Sequence, residues 1–261
     1  MTDTPTIMVA CMVKNASQWL PQSWSLLKSL TYPKEKLHLV YTYGRSGDNT
    51  LELIKSYARE GIIEVEIYNE PPDPGLKKYG AAWSAGVYND WKEILDEDYL
   101  LLFDSDIIDA PSNLIEELLK VNGDIVAPYP YVEGERYFYD SWIWRLNNYR
   151  FHPNDPPGRH LKVPVKVDSV GTCFLAKRSV YLRVPIDNPY PNLTFSNNAR
   201  KMGYSVVGCP YLKIIHKDVL ALGYVHSPLD PQLGGYPRPE WADSRFPIQA
   251  YGTFTVEEIQ V

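Results

Sequence analysis

The sequence predicts an α/β fold, with a mixed sheet flanked by helices. Short apolar runs alternate with stretches of helical periodicity along the chain, which is typical of βαβ units. The run Tyr99–Phe103 is apolar or aromatic throughout, as expected of a strand buried on both faces. Asp104 and Asp106 follow it directly, at the end of the strand where open α/β sheets place their ligand crevice.

The elements before this strand form a strand–helix–strand–helix–strand series. The predicted strands cover residues 6–13, 37–43 and 62–68, and the predicted helices cover residues 18–30 and 50–60. This is the outline of a mononucleotide-binding half. The Gly-x-Gly-x-x-Gly fingerprint is absent, so the sequence disfavours a dinucleotide site.

A Pro-rich loop then leads to a predicted helix over residues 81–95. Lys77 and Lys78 precede this helix, where its dipole also favours anions, so Lys78 is a candidate contact for a donor diphosphate. A solvated basic pair explains the two lysines equally well.

The second half predicts further short elements. They are helices over 112–121 and 197–202, and strands over 124–128, 163–167, 171–176, 204–207 and 211–215. Aromatic residues crowd the stretch from Tyr129 to Arg159, where flat rings suit sugar ligands but also suit an irregular core. Beyond Ser227 the chain is rich in Pro and Gly, and we expect an ordered arm or lid there.

Composition and charge exclude some classes of protein. The 261 residues carry a formal charge of −6, which argues against broad binding of a nucleic-acid backbone. The three cysteines show no metal or redox spacing, and structural thiols in a reducing compartment explain them best. We expect no membrane span and no secretory signal, and therefore a cytoplasmic protein.

The pair Asp104 and Asp106 is the strongest chemical signal. Alternate strand residues share one face, so the two carboxylates would repel each other there unless a hard divalent cation joined them. The alternative is an acidic turn before the next helix, with Asp109 as the N-cap ahead of Pro111.

A series of motifs then matches a known family in order along about 210 residues. The motifs are Val13-Lys-Asn-Ala16, Leu30-Thr-Tyr-Pro33, Asp48-Asn-Thr50, Leu102-Phe-Asp-Ser-Asp106, Asp124-Ile-Val-Ala-Pro128, Tyr139-Asp-Ser-Trp142, Val170-Gly-Thr172, Lys201-Met-Gly-Tyr204 and Tyr211 to His216. With them the chain resembles GT-A-type glycosyltransferases of the Rossmann-like, family 2-like kind. It is most similar to the group of procollagen galactosyltransferases and fungal Golgi mannan-type α-mannosyltransferases.

The resemblance implies a metal site and a donor site. It implies that Asp104, Asp106 and His216 bind Mn²⁺ (or Mg²⁺) on the diphosphate of a UDP- or GDP-sugar. Implied donor contacts lie at Ala10, Met12, Tyr43, Arg45, Asp48, Lys78, Ser105 and Gly171. Relatives carry an acidic pair after the second strand, where this chain has Tyr43-Gly44-Arg45, so the resemblance does not fix the nucleotide.

The acceptor side is expected to use aromatic rings. The candidates are Tyr131, Tyr139, Trp142 and Trp144. We expect a single domain over 1–261, with a nucleotide-sugar and metal half (1–128), an acceptor half (129–226) and a C-terminal arm (227–261).

Inverting relatives place a carboxylate where this chain has Pro191-Asn192. A retaining enzyme needs no base there, so we expect retention of the anomeric configuration. Asp168 and Asp187 are the candidate catalytic residues: either would reverse this expectation if it acted as the base, and Asp168 is expected instead to orient a donor hydroxyl.

The sequence thus predicts a metal-dependent transferase that moves a sugar from a nucleotide-diphosphate donor to a hydroxyl of a glycan, a protein or a small molecule. One alternative acceptor is a modified base in DNA, reached through a basic groove formed by Lys77, Lys78, Arg136, Arg145, Arg150 and Arg159. Another alternative is a catalytically silent carbohydrate-binding protein on the same scaffold.

Overall fold

A computed structural model of the chain describes residues 4–69, 81–135, 137–141, 143–187 and 190–217. For residues 81–84 it describes the backbone alone. The helices are α1 (Leu20–Ser29), α2 (Thr50–Glu60), α3 (Ala81–Ile94), α4 (Leu114–Lys120), α5 (Arg178–Arg183) and α6 (Pro191–Lys201). The strands are β1 (Ile7–Val13), β2 (Leu37–Tyr43), β3 (Glu64–Asn69), β4 (Tyr99–Phe103), β5 (Ile107–Asp109), β6 (Ile125–Val132), β7 (Arg145–Leu146), β8 (Tyr149–Arg150), β9 (Val165–Lys166), β10 (Cys173–Lys177) and β11 (Val206–His216).

One mixed sheet organises the part of the chain that the structure describes. Its strand order is β3-β2-β1-β4-β10-β6-β11-β5, and β9 pairs with β11 beside this path. Strands β1 to β4 are parallel, whereas β10 runs antiparallel to both β4 and β6. This is the expected mixed α/β sheet, and β4, which leads to the two carboxylates, lies near its middle.

Helices cover both faces of the sheet, because the strands are apolar on both sides. Along β1, Ile7 and Val9 pack with α1, α2 and α4 on one face. Met8 and Ala10 pack with α3, α5 and α6 on the other. This alternation with a period of two is what a buried central strand requires.

Local signals set several element ends. Helix α2 ends at Gly61, whose φ of +64° is the left-handed conformation typical of a helix C-terminus. The alternative interpretation, in which Asp109 is a helix N-cap, is wrong: Asp109 ends β5, and Asn113 precedes α4. The short helix α5 was not predicted from the sequence.

No described helix has the length and apolar character needed to cross a lipid bilayer.

The boundary that we predicted between residues 128 and 129 falls inside β6. Strand β6 pairs with both β10 and β11, so the two predicted halves share one sheet. The predicted C-terminal arm, residues 227–261, lies outside the described residues.

Candidate metal centre and active site

The acidic motif forms a tight turn at the end of β4. Leu102 and Phe103 are fully buried, and the chain then reverses with Ile107 N–H donating to the carbonyl of Asp104 at 3.1 Å. The Asp104 N–H donates to the carbonyl of Thr172 at 3.1 Å, which ties the turn to the segment just before β10. The turn therefore has a fixed position relative to the sheet.

The last described strand brings a histidine to this turn. His216 ends β11, where it pairs with Ile107 of β5, and the Lys217 N–H donates to the carbonyl of Asp106 at 2.7 Å. The Nε2 atom of His216 lies 2.8 Å from Oδ1 of Asp106. One ligand atom from each of Asp104, Asp106 and His216 lies within 4.8 Å of the others. The structure thus assembles the three residues that the resemblance implied.

The orientation of the His216 ring is set by two contacts. Its Nδ1 atom lies 2.9 Å from the carbonyl oxygen of Lys217, so Nδ1 carries a proton and Nε2 faces the two carboxylates. The Tyr139 ring stacks on the imidazole, with ring centres 3.6 Å apart and planes 15° apart. The side chain of His216 is only 1% exposed. A buried imidazole held in this way is typical of a metal ligand.

The electrostatics of this cluster suit a cation. Burial, together with the charges of Asp106 and Asp140, raises the pKa of Asp104 well above its usual range. Burial lowers the pKa of His216, but the adjacent Asp106 outweighs burial and the net shift is upward. Both shifts express an excess of negative charge in a site of low polarity. Two carboxylates and one imidazole are a donor set that fits a divalent cation such as Mn²⁺ or Mg²⁺.

Asp140 is a further acidic residue at this site, and no sequence pattern predicted a role for it. Its Oδ2 accepts a hydrogen bond from the Thr172 hydroxyl at 2.9 Å, and the residue as a whole is partly exposed. Burial raises the pKa of Asp140 to about 7, although the bond from Thr172 and the charges of His216 and Arg145 oppose that rise. The only sequence signal was its place inside the motif that begins at Tyr139.

The backbone around Asp140 is unusual. Asp140 and Thr172 have φ values of +59° and +62°, in the left-handed region that β-branched residues such as Thr rarely adopt. At Gly171, a Cβ atom would lie 2.1 Å from Oδ2 of Asp140. Gly171, which we predicted as a donor contact, is therefore required here by the close approach of the Asp140 carboxylate. Its contact with a donor stays a prediction.

The two predicted catalytic acids are held by other protein groups. Asp168 pairs with Arg200 at 2.9 Å and accepts the Asn148 N–H at 2.6 Å. Asp187 is exposed and accepts a hydrogen bond from the Asn198 side chain at 3.2 Å. Neither residue belongs to the cluster of Asp104, and their catalytic roles stay predictions.

The predicted donor residues occupy different environments. Ala10 is fully buried and Ser105 is 9% exposed, whereas Met12 and Tyr43 are partly exposed and Arg45 is exposed. Their roles in donor binding stay predictions. Lys78 lies outside the described residues.

Asp48 has a structural role as well as the predicted one. Its carboxylate accepts hydrogen bonds from the backbone N–H groups of Ser17 and Thr50, both at 3.0 Å. These bonds join the loops that follow β1 and β2. Burial would raise the pKa of Asp48, but hydrogen bonds from the side chains of Thr50 and Ser17 and from these two backbone N–H groups lower it. Its contact with a donor stays a prediction.

The predicted acceptor rings, like the predicted donor residues, occupy different environments. Trp144 is fully buried, and its ring packs with Tyr129, Phe138 and Phe151. Assigning it to the acceptor was wrong, because no face of this ring is open to a ligand. Tyr131 is 8% exposed, and Tyr139 stacks on His216. Trp142 lies outside the described residues.

Known proteins support the resemblance in sequence. No protein-family model matches the chain. It is 23% identical over 166 residues to a glycosyltransferase 25 family member from Anopheles gambiae, with 58% of this chain and 28% of that protein covered. It is 27% identical over 140 residues to procollagen galactosyltransferase 2 from Homo sapiens, with 48% and 22% covered. The chain thus spans less than a third of the length of these relatives.

Solved structures show the same fold at low sequence identity. GalNAc-T7 with UDP, GalNAc and Mn²⁺ matches 83% of this chain and 44% of its own, with a TM-score of 0.61 and 13% identity. The mannosyltransferase PcManGT from Pyrobaculum calidifontis, in complex with GDP-Man and Mn²⁺, matches 82% of this chain and 57% of its own, with a TM-score of 0.57 and 17% identity. The molecule therefore has the GT-A fold of glycosyltransferases, and its sequence is similar to glycosyltransferase 25 family proteins and procollagen galactosyltransferases.

Proposed function

We propose that this protein is a metal-dependent glycosyltransferase that moves a sugar from a nucleotide-diphosphate donor to a hydroxyl acceptor. The observation that carries the proposal is the cluster of Asp104, Asp106 and His216, with ligand atoms within 4.8 Å of one another at the end of β4. The solved structures of this fold described above hold Mn²⁺ together with UDP or GDP-Man. A UDP- or GDP-sugar is therefore the proposed donor.

The three residues would make different contributions to binding a cation. Asp104 and Asp106 supply the negative charge, and His216 supplies a nitrogen whose direction is fixed by the Lys217 carbonyl and the Tyr139 ring. A bound Mn²⁺ or Mg²⁺ would neutralise charge that develops on the departing diphosphate. Burial of the site strengthens that interaction, because water does not screen it.

The stereochemical outcome predicted from the sequence is retention. Its premise is that Asn192 replaces the usual carboxylate, and in the structure the Asn192 side chain accepts a hydrogen bond from the Tyr88 hydroxyl. The expectation of retention therefore rests on this one position. A carboxylate elsewhere on the acceptor side would reverse it.

The acceptor is proposed as a hydroxyl of a glycan, a protein or a small molecule, and modified DNA is less well supported. Arg145 and Arg150, two members of the basic groove that we considered for DNA, are 2% and 8% exposed. Arg159 pairs with Asp155 at 2.9 Å. Lys77, Lys78 and Arg136 lie outside the described residues. The silent carbohydrate-binding alternative gains no support from an intact cluster of metal-binding residues.

The cytoplasm stays the proposed compartment, and the free thiols of the three buried cysteines support it.

The decisive experiment measures binding of metal and donor by thermal shift. Mn²⁺ with UDP-galactose, UDP-GlcNAc or GDP-mannose should raise the Tm of the wild-type protein, because these ligands bind only the native state. Asp104→Asn should abolish this rise and lower the rate of transfer by about 100-fold or more. Asp109→Asn, which changes an exposed residue on β5, is the matched control and should behave as wild type. An equal rise in Tm for Asp104→Asn, or full activity in excess chelator, would refute the proposed function.

A further inference from the structure

Asp140 lies beside the proposed metal centre without belonging to it. Thr172 connects the two, since its carbonyl accepts the Asp104 N–H at 3.1 Å while its hydroxyl donates to Asp140 at 2.9 Å. The ring of Tyr139, the preceding residue, stacks on His216. Counted as a whole residue, Asp140 is partly exposed.

The local backbone holds this carboxylate in place at some energetic cost. Both Asp140 and Thr172 have positive φ values, and strained conformations of this kind cluster at functional sites. Gly171 leaves the space that Oδ2 of Asp140 occupies. Three neighbouring features thus fix the position of one acidic group.

Other candidates for a catalytic carboxylate are less well placed. Asp168 is held by Arg200 and by the Asn148 N–H, and Asp187 is bonded to Asn198. Asp140 alone among these acids combines partial exposure with a place beside the cluster.

We propose that Asp140 is the catalytic base for the acceptor, and that transfer inverts the anomeric configuration of the donor sugar. This inference rests on the proposed glycosyltransferase function and replaces the retention expected from Pro191-Asn192. The acceptor O–H gives its proton to the Asp140 carboxylate while its oxygen forms a bond to the anomeric carbon. The bond from that carbon to the diphosphate oxygen breaks, and its electron pair leaves with the diphosphate. A base that acts on the face of the sugar opposite the leaving diphosphate gives inversion, and this is the role assigned to Asp140.

Asp140→Asn is a conservative test of this role. Asn tolerates a positive φ better than other residues, and its side-chain oxygen can still accept the hydrogen bond from Thr172. Hydrolysis of UDP-galactose, UDP-GlcNAc or GDP-mannose in Mn²⁺ uses water as the acceptor and needs no knowledge of the natural one. We expect the rate to fall by about 100-fold or more, while the thermal shift caused by the donor is unchanged. Asp90→Asn, which makes the same change at an exposed position of α3, is the control and should keep the wild-type rate.

The configuration of the first sugar released by wild-type enzyme is an independent measurement. NMR recorded before mutarotation should show the inverted anomer, and this result does not depend on the stability of any variant. The retained anomer, an unchanged rate in Asp140→Asn, or bound donor that wild-type enzyme does not hydrolyse would each overturn the assignment. A wild-type protein that shows no thermal shift with Mn²⁺ and any donor would instead refute the proposed function, before Asp140 is tested.

Discussion

Gly171 is the residue at which a single methyl group has the clearest expected effect. Gly171→Ala would place Cβ 2.1 Å from Oδ2 of Asp140, so the carboxylate must move and its bond to Thr172 must break. We expect a loss of about 1–3 kcal/mol in the free energy of unfolding, as for other overpacked sites. We also expect a large fall in the rate of donor hydrolysis, which a melting curve and a kinetic assay would measure together.

Gly123→Ala is the control that separates a loss of stability from a loss of donor hydrolysis. A Cβ atom there would meet Val126 at 2.7 Å and Val207 at 3.0 Å, and neither valine belongs to the cluster of Asp104, Asp106 and His216. The variant should lose stability without losing donor hydrolysis. Equal activity in both variants would show that the place of the Asp140 carboxylate does not matter.

At the scale of elements, an ion pair links β2 to the segment before β4. The Nδ1 atom of His38 lies 2.8 Å from Oε1 of Glu97, and the two side chains are 19% and 15% exposed. The hydrogen bond with Glu97 raises the pKa of His38 above its usual value of 6.5, although burial opposes it. Burial alone would raise the pKa of Glu97, but bonds from His38 and from backbone N–H groups lower it below 4.5.

The sign of the effect on stability follows from these shifts. The raised pKa of His38 stabilises the fold below pH 6.5, and this contribution is lost as pH rises through the pKa of the folded state. The lowered pKa of Glu97 contributes above pH 4.5 and is lost as pH falls. His38→Gln should therefore cost most near pH 5.5, by about 1 kcal/mol, and less at pH 8.5. Melting curves of both proteins at the two pH values would check this, and a difference that grows with pH would contradict it.

The sequence predicted some elements closely and others poorly, for physical reasons. Strand β2 and helix α2 have the predicted bounds, because their ends coincide with local turn and cap signals such as Gly61. Strand β11 was predicted as two strands, over residues 204–207 and 211–215; between them lies Pro210, which cannot donate to a ladder. The structure keeps it as one strand with an irregularity in register between Cys209 and Lys213, which accommodates the proline.

The candidate site was predictable only in part. The pattern of one apolar strand followed by two acids identified Asp104 and Asp106, whereas His216 followed only from the resemblance to a family. Asp140 was missed because a residue held in a loop by a positive φ and by Thr172 leaves no periodic signal in the sequence. Contacts between distant segments, and not local patterns, decide such positions.

At the scale of the whole molecule, the aromatic stretch belongs mainly to the core. Trp144 is fully buried and packs edge-on against Tyr129 and Phe138, with ring centres 5.1 Å and 5.5 Å away. Trp144→Ala should lower the free energy of unfolding by about 3–5 kcal/mol. Chemical denaturation would measure this loss, and donor binding at low temperature should survive in the protein that remains folded. A variant of wild-type stability with a raised acceptor KM would restore Trp144 to the acceptor site.

The order of strands in the sheet also sets the order in which its strands can pair while the polypeptide is being synthesised. Strands β1 to β4 can pair with one another as soon as they leave the ribosome, but the partners of β6 among the described strands are β10 and β11, and both are synthesised later. Asp104 and Asp106 therefore emerge long before Thr172 fixes the turn and before His216 arrives with the last described strand. A nascent chain halted ahead of β11 would present β6 to chaperones with one edge unpaired, and its proposed metal centre would lack His216. Translation through His216 is thus the step that completes the cluster of Asp104, Asp106 and His216.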